Sequence, residues 1–262
     1  MSIRHQARQR VPLAPNAALN FAATEADICA SPHWPLIGYI TKERRIKKQA
    51  DGTLKFQVKE RPIEFASHRD AAVLEYYSRD LIESYERYIS TTAFSASVLA
   101  YRSNIGNNID HSKFLFDEIR LRGDCTAIAV DITSFFDRIV HDHLYHAICK
   151  VRGRSRLNGV DFKVFRRMTK FDWVDSAEAR DRLGFRYGRG KRICKGPEFR
   201  SFLRKKVPSL INTNDKAFGI PQGTPLSGLY ANISLLRAET HNHHMMAAAR
   251  WMLPRKLAAS LS

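Results

Sequence analysis

The sequence predicts an α+β protein, and three patterns of apolar residues support this fold class. Residues 42–59 alternate around Asp51-Gly52, which is typical of a β-hairpin with a tight turn. Residues 70–89 carry apolar side chains at helical spacing, whereas residues 126–130 form a short apolar run of strand type. Strands and helices mixed along one chain in this way indicate an α+β domain.

The chain is strongly basic. Its 262 residues include 43 lysines and arginines against 26 aspartates and glutamates, a formal net charge of +17. Residues 151–215 hold 18 basic and 7 acidic residues and so supply +11 of that charge. Basic side chains interleaved with aromatic ones favour a polyanionic partner, because they pair with phosphates and stack on bases. The interleaved aromatic residues are Phe162, Phe165, Phe171, Trp173, Phe185 and Tyr187. The alternative is that they belong to the core, with the charges forming a solvated rim.

The cysteines and the hydropathy pattern indicate a compartment. Cys29, Cys125, Cys149 and Cys194 are far apart and form no CxxC pair, so neither a zinc site nor a disulfide framework is predicted. A reducing cytoplasm fits this pattern. No apolar run approaches the roughly 20 residues of a membrane-spanning helix, so no membrane association is expected.

Six segments follow one another along the chain. Their predicted bounds are 1–59 for a leader and the basic hairpin, 60–125 for a region with two helices, 126–150 for a strand and the helix after it, 151–215 for a basic connecting segment, 216–236 for a loop and a helix, and 237–262 for an atypical tail. The content of each follows from the periodicity of its apolar residues.

Two amphipathic helices are predicted in residues 60–125. Asp70 is the predicted cap of the first helix, whose apolar residues recur up to Ile89. A turn-rich stretch at residues 102–108 separates it from the second helix. That second helix is marked by Phe114, Leu115, Ile119 and Leu121.

Two short motifs carry the candidate chemistry. Residues 127–137 read AIAVDITSFFD and put Asp131 at the carboxyl end of the predicted strand, where the pattern changes to a helical period. Residues 219–227 read GIPQGTPLS, with Thr224 as the predicted cap and Pro225 as the first residue of a helix. A loop that leads into a helix in this way suits a polar or anionic ligand, because the first N–H groups of the helix are unpaired.

An aspartate at the end of a strand can bind a hard divalent cation. Magnesium prefers carboxylate and carbonyl oxygens, which Asp131 and the carbonyl of Ile132 could supply. Polymerases use two such ions about 3.5 to 4 Å apart, and one carboxylate does not make a two-metal site. A lone aspartate after an apolar strand is more often a cap or turn residue, so the residues alone leave both interpretations open.

The ordered pair of motifs resembles motifs A and B of reverse transcriptases. Asp131 to Asp137 is similar to motif A, and Gly219 to Ser227 is similar to motif B in its bacterial form. The resemblance covers about residues 60–236 and points to the bacterial retron, abortive-infection and phage-defence enzymes. Other segments that resemble signatures of that group are 61–70, 98–102, 108–110 and 193–200.

The resemblance implies the fingers and palm of a right-hand polymerase that synthesises DNA on an RNA template. It also implies two Mg²⁺ ions, a DNA primer or product and deoxynucleoside triphosphates. Asp131 would be the first metal ligand, assisted by the carbonyl of Ile132. Phe136 would act as a steric gate that favours deoxyribonucleotides over ribonucleotides; its alternative role is core packing.

Three further residues receive a role from the same resemblance. Gln222 and Gly223 would lie against the incoming nucleotide and the template-primer, where a glycine permits close backbone approach. Arg102 would bind the triphosphate through charge-assisted hydrogen bonds, or it is an ordinary surface arginine.

The sequence departs from the family pattern after motif B. Family members take further metal-binding carboxylates from an Asp-Asp turn, motif C, and then continue into a thumb. Residues 237–262 resemble neither, and no aspartate follows Asp215. An incomplete palm, an absent thumb and little or no polymerisation by this chain alone are therefore expected. A gene disrupted shortly after Leu236 would account for the tail.

Two other interpretations stay open. The chain could be a nucleic-acid-binding protein without catalysis, whose basic surface includes Arg204, Lys205 and Lys206. It could also be a poorly folded fragment, because the motif A strand would lack its usual neighbours. A noncoding RNA or protein partner is possible on either view, and the sequence does not identify it.

Overall fold

The computed structural model describes most of the chain as a mixture of helices and strands. The described residues are 28, 33–49, 51–93, 95, 98–99, 102, 106–128, 131–184, 196–204 and 207–241. The α+β class is confirmed. The chain divides into two compact units, the first comprising Met1–Tyr76 and Asn158–Ser227, the second Tyr77–Leu157 and Gly228–Ser262.

The first unit contains a four-stranded sheet with the strand order β2-β1-β3-β4. Its strands are β1 (Leu36–Lys48), β2 (Leu54–Phe65), β3 (Asp172–Asp175) and β4 (Asn212–Thr213). β1 pairs antiparallel with β2 and parallel with β3, and β3 pairs antiparallel with β4. The parallel pair joins strands that are far apart in sequence. It thereby connects the two segments of the chain that make up the first unit.

The predicted hairpin is confirmed and is longer than the sequence indicated. Only Leu36 to Gly38 of β1 pair with β3, so residues 39–48 of β1 and 54–62 of β2 form a two-stranded ribbon that is largely exposed on both faces. At the turn, Gly52 has φ +84°, and Asp51 Oδ1 accepts hydrogen bonds from the backbone N (2.9 Å) and the hydroxyl (2.7 Å) of Thr53. These bonds lower the pKa of Asp51.

A core cluster of the first unit lies where β3 meets the helices that follow it. The helix α5 (Gly159–Thr169) precedes β3, and α6 (Ser176–Arg182), the helical turn α7 (Gly196–Glu198) and the π-helix Phe199–Arg204 follow it. Val174, Ala179, Phe199 and Leu203 form one buried cluster, and Ile37 of β1 packs against it. The carboxylate of Asp175 caps α6 by accepting from the N–H groups of Ala177 and Glu178.

The second unit is helical in the residues described. Its elements include most of α1 (His68–Ser90), α2 (Asn108–Arg122), α3 (Phe135–Arg138), α4 (His141–Val151) and all but the first residue of α8 (Ser227–His241). Leu81, Tyr85 and Leu144 are fully buried. Arg152, which ends α4, donates to Asp80 (2.7 Å) and Ser84 (2.9 Å) and thus joins α4 to α1.

The predicted cap of α1 is wrong by three positions. Ser67 precedes the helix, and its hydroxyl oxygen accepts a hydrogen bond from the backbone N of Asp70 at 3.2 Å. Asp70 is instead a buried residue of the first helical turn. The reason is that its carboxylate accepts from the backbone N of Trp34, which draws the side chain into the fold.

The predicted motif A strand is also wrong where the structure describes it. Residues 125–128 are not in a strand, Ile128 is 77% exposed, and residues 129–130 lie outside the described part. An apolar run forms a strand only when another strand pairs with its backbone, and none of the described strands pairs with this run. The helical period after Asp131 is divided between α3 and α4, with the buried Ile139 between them.

The second predicted helix is present as α2, and it begins with a capping box. The side chain of Asn107 accepts from the N–H groups of Ile109 and Asp110, and the Asp110 carboxylate accepts from the N–H of Asn107. None of its residues is buried, and Phe116 and Leu121 are 72% and 81% exposed. The capping box therefore holds the start of this helix more than packing does.

Within the described ranges, no helix combines the length and the apolar composition that crossing a bilayer requires.

We predict that Leu81→Ala lowers the free energy of unfolding by about 2 to 5 kcal/mol, because Leu81 is fully buried and its truncation leaves a cavity. Leu121→Ala is the matched control, since it removes the same atoms from an 81% exposed position of the same unit. Urea unfolding followed by circular dichroism measures both. Equal effects of the two substitutions would contradict the buried position of Leu81.

Candidate functional site

The loop that leads into α8 is held at its start by one asparagine. The amide Nδ2 of Asn214 donates to the carbonyl oxygens of Thr169, Phe218 and Gly219 at 2.9, 3.1 and 3.2 Å. Gly219 has φ +90°, a conformation that glycine adopts without strain. The start of motif B is therefore joined to the end of α5 by a short-range polar network.

A lysine adds a second connection between α5 and this loop. Lys170 follows the last residue of α5, and its Nζ donates to the carbonyl oxygens of Asp215 (2.9 Å) and Lys216 (2.8 Å). These bonds are charge-assisted, because the ammonium carries a full positive charge.

The middle of the loop is joined to the end of β2. The backbone N of Glu64 donates to the carbonyl of Gln222 at 2.8 Å, and the backbone N of Gln222 donates to Oε2 of Glu64 at 3.0 Å. The backbone of Gln222 is thus fixed on both sides, and its side chain is half-buried.

Gly223 lies close against the end of β2. A Cβ at this position would lie 2.7 Å from Cγ2 of Ile63 and 3.0 Å from the carbonyl oxygen of Glu64. The φ of Gly223 is +129°, where side chains other than glycine are strained. Glycine is therefore needed here by the protein's own packing.

The end of the loop is closed by two hydroxyl groups. Ser227 Oγ donates to the carbonyl of Pro221 at 2.6 Å and lies 2.7 Å from Oγ1 of Thr224. The helix begins at Ser227, so the prediction of Thr224 as its cap and Pro225 as its first residue is wrong. The buried hydroxyl of Ser227 engages Thr224 and delays the helix by one half-turn.

A cleft of about 380 Å³ lies beside this loop in the first unit. It is bordered by residues 33–36, Ala66 and the start of α1, α5 with the three residues after it, and the loop residues Pro221 and Thr224. Leu36, Leu74 and Met168 give it an apolar floor. Four cationic side chains line it as well, namely Lys163, Arg166, Arg167 and Lys170.

A buried carboxylate lies at one end of the cleft. Asp70 accepts from the hydroxyl of Ser67 (2.7 Å), the backbone N of Trp34 (3.2 Å) and contacts Nδ1 of His33 (3.1 Å). Burial raises the pKa of the Asp70 carboxyl, and the hydrogen bonds from Ser67 and Trp34 oppose this increase only in part.

The motif A residues lie in the second unit. Asp131 and Ile132 are exposed, and Ser134 has the left-handed values φ 53° and ψ 43° just before α3. Phe136 is half-buried, with its ring centroid 6.1 Å from that of Phe135.

Among the described residues, Asp131 is not part of a group of three or more metal-binding side chains. Nowhere among them do three or more histidine, cysteine, aspartate or glutamate side chains group so as to hold a metal ion. Asp131 is one exposed carboxylate, and two magnesium ions need several shared oxygen ligands.

Arg102, which was predicted to bind a ligand, is bonded within the protein, whereas Arg204 of the predicted basic surface is exposed. In the second unit, Nε of Arg102 donates to Glu86 at 3.1 Å, and its Nη1 donates to the carbonyl of Ser95 at 2.5 Å, so its fork is engaged within the protein. Arg204 is exposed at the end of the π-helix, whereas Lys205 and Lys206 lie outside the described residues.

The structure brings some predicted residues together and separates others. Gln222 and Gly223 share one loop of the first unit, whereas Asp131, Phe136 and Arg102 belong to the second unit. Among the six interleaved aromatic residues, Phe165 is buried, Phe162 is exposed, Phe171 and Trp173 are half-buried, and Phe185 and Tyr187 lie outside the described part.

The cationic row on α5 was missed by the sequence analysis. Its signal was present as four basic residues at the spacing i, i+3, i+4 and i+7, starting at Lys163.

No protein-family model and no curated protein matches this chain. The residues and their geometry are therefore the basis for a proposal about its function.

We predict that Gly223→Ala destabilises the first unit by about 1 to 3 kcal/mol, because the new methyl group meets Ile63 and the backbone is strained. Gly159→Ala is the control, since nothing lies within 4 Å of a Cβ at that helical position. In the double variant with Ile63→Ala, the two costs should be less than additive. Additive costs in urea unfolding would contradict the close contact.

We predict that the free energy of unfolding decreases as the pH rises from the ordinary pKa of an aspartate to the raised pKa of Asp70. Its folded-state pKa is raised, so the folded protein binds more protons than the unfolded chain between the two pKa values. The free energy of unfolding therefore falls as the pH rises through that interval, and Asp70→Asn removes this decline.

Asp51→Asn is the control for this measurement. The pKa of Asp51 is lowered, so its stabilising effect is present at higher pH and is lost as the pH falls through its folded pKa. Urea unfolding at several pH values, together with a carbon NMR titration of the Asp70 carboxyl, tests the difference. A titration of Asp70 below the ordinary range would contradict the effect of burial.

Proposed function

We propose that this chain is the fingers and palm part of a reverse transcriptase of the bacterial retron, abortive-infection and phage-defence group. Its reaction is the addition of deoxynucleotides to a DNA primer on an RNA template, and the biological role implied by the resemblance is phage defence. The support is the ordered pair of motifs at residues 127–137 and 219–227.

The observation that carries this proposal is the tightly held loop of motif B. Asn214 binds its backbone at the start, and Glu64 and Ser227 bind it in the middle, at Gln222 and Pro221. In a loop of this kind, the backbone that carries the side chain of Gln222 is fixed. The selection of a nucleotide against a template requires such a fixed position, because catalysis and specificity depend on preorganised contacts.

The motif A residues receive complementary roles in this proposal. Asp131 is one carboxylate of the catalytic centre, with the Ile132 carbonyl beside it, and its exposure leaves it accessible to substrate. Phe136 is the steric gate against the ribose 2′-hydroxyl. Arg102 serves the fold through Glu86 in the structure, and a role in binding the triphosphate would require that ion pair to open.

The second candidate is a nucleic-acid-binding protein without polymerase activity. One observation favours it, namely that four cationic side chains line the cleft of the first unit. Both candidates predict binding to nucleic acid that weakens with salt. They differ in whether a bound template selects the nucleotide.

We predict that the complementary deoxynucleoside triphosphate increases the affinity of the protein for an RNA template with a DNA primer, whereas mismatched triphosphates do not. The difference should be roughly tenfold or more and should decrease in Gln222→Ala. Fluorescence anisotropy of a labelled primer in the presence of magnesium measures it. Equal effects of all four triphosphates would favour the second candidate.

Primer extension in the same reactions tests catalysis. We expect little or no extension by the chain alone, because Asp131 belongs to no group of three or more potential metal ligands in the described structure. Extension that is lost in Asp131→Ala and kept in the control Asp137→Ala would contradict this expectation. It would also support the family assignment, since both aspartates are exposed and six residues apart.

A further inference from the structure

One face of α5 is a row of positive charges. Lys163, Arg166, Arg167 and Lys170 follow the spacing i, i+3, i+4 and i+7, so they lie on one side of the helix axis and its extension. The opposite side of α5 packs into the protein through Val164, Phe165, Met168 and Thr169, which are all buried. We call the four cationic residues the α5 stripe.

The α5 stripe brings like charges close together on one helix. Like charges three or four residues apart on a helix destabilise it, and the α5 stripe contains four such pairs. Only two carboxylates line the same cleft, Asp70 and Asp172. Asp70 is buried and bonded to Ser67 and Trp34, and Asp172 accepts from Thr213. Within the α5 stripe, Arg167 donates to the carbonyl of Ile28 at 2.9 Å and Lys170 to those of Asp215 and Lys216, whereas Lys163 and Arg166 are exposed at the surface.

Aromatic rings line the same cleft as the α5 stripe. Trp34 is 37% exposed, and its ring meets that of Phe199 edge to face at a centroid distance of 4.8 Å. This contact holds the indole in place, so that it loses little freedom when a ligand stacks on it. Phe171 also lines the cleft and is half-buried.

The dimensions suit one strand of a nucleic acid. The α5 stripe spans seven residues of rise, roughly 10 Å, which is enough for about two or three consecutive phosphates. The cleft of about 380 Å³ has room for one base or nucleoside, but it has no room for a base pair stacked within a duplex.

We propose that the α5 stripe and the adjoining cleft bind single-stranded nucleic acid. The phosphates lie along the stripe, led by the exposed Lys163 and Arg166, and one base enters the cleft beside Trp34. The cationic residues of this site belong to neither of the two sequence motifs. The proposal therefore does not depend on the polymerase assignment. Stacking and backbone charge together give affinity with little sequence preference.

The experiment uses fluorescence anisotropy with labelled oligothymidylate and oligouridylate of roughly 12 nucleotides, within the site size of single-strand-binding folds. EDTA is present and triphosphates are absent, so that the chemistry of Asp131 has no part in the signal. Lys163→Glu with Arg166→Glu should weaken binding by about tenfold or more and reduce the slope of log affinity against log salt by about two.

Lys150→Glu with Arg156→Glu is the matched control. Both residues are exposed, lie in the second unit and change the net charge by the same amount. If this control weakens binding as much as the stripe variant, net charge accounts for the affinity and the proposal is overturned. Circular dichroism verifies that all variants are folded, because every substituted residue is at the surface.

The base-binding part of the site is tested separately. Trp34→Ala should weaken binding by about tenfold, and Trp34→Phe should restore most of it, because stacking needs an aromatic face. A duplex of the same sequence should bind more weakly than the single strand. Equal or tighter binding of the duplex, or no effect of Trp34→Ala, would overturn the assignment of the cleft to a base.

Failure of this proposal differs from failure of the polymerase proposal. The oligonucleotide assay contains EDTA and no triphosphate, so its outcome does not depend on catalysis. An α5 stripe variant that loses oligonucleotide binding but still selects the complementary triphosphate would separate the two sites. Binding to phosphatidylserine vesicles through Lys163 and Arg166, without binding to the oligonucleotides, would overturn the proposal in favour of an acidic membrane surface.

Discussion

The pair of hydrogen bonds between Glu64 and Gln222 is the constraint on which the first unit depends. It joins residues 158 positions apart and brings the motif B loop against the end of β2. Gly223 follows directly and permits that approach, because it has no Cβ to meet Ile63. The loop in turn forms one border of the cleft, whose other borders are α5 and the start of α1. The shape of the cleft therefore follows from a contact made elsewhere.

Sequence patterns predicted the elements whose stabilisation is local. The hairpin turn at Asp51-Gly52 and the helices α1 and α2 depend on residues within a few positions, and they were predicted correctly in kind. The strand at residues 126–130 was not found in its described part, because a strand needs a partner that local sequence does not specify. For the same reason Asp70 was taken as a cap, since its bond to Trp34 crosses 36 positions.

The sequence identified residues of the candidate site, but it did not predict which contacts those residues make. Gln222 and Gly223 were selected from their motif, but the contact that requires Gly223 is with β2, and only the fold reveals it. Arg102 was selected as a ligand-binding residue, whereas its pairing with Glu86 depends on where α1 places that carboxylate. The α5 stripe was legible from spacing alone and was overlooked, because its residues were counted as composition within a larger basic segment.

The ribbon of β1 and β2 affects how copies of this chain associate with one another. Two long strands exposed on both faces would offer their backbone edges to a second ribbon, which is how sheets of different molecules join. Residues 42–61 contain 8 basic and 3 acidic side chains, so two ribbons that approach edge to edge repel each other. This charge thus keeps copies of the chain apart, and a polyanion that neutralised it would remove the barrier to self-association.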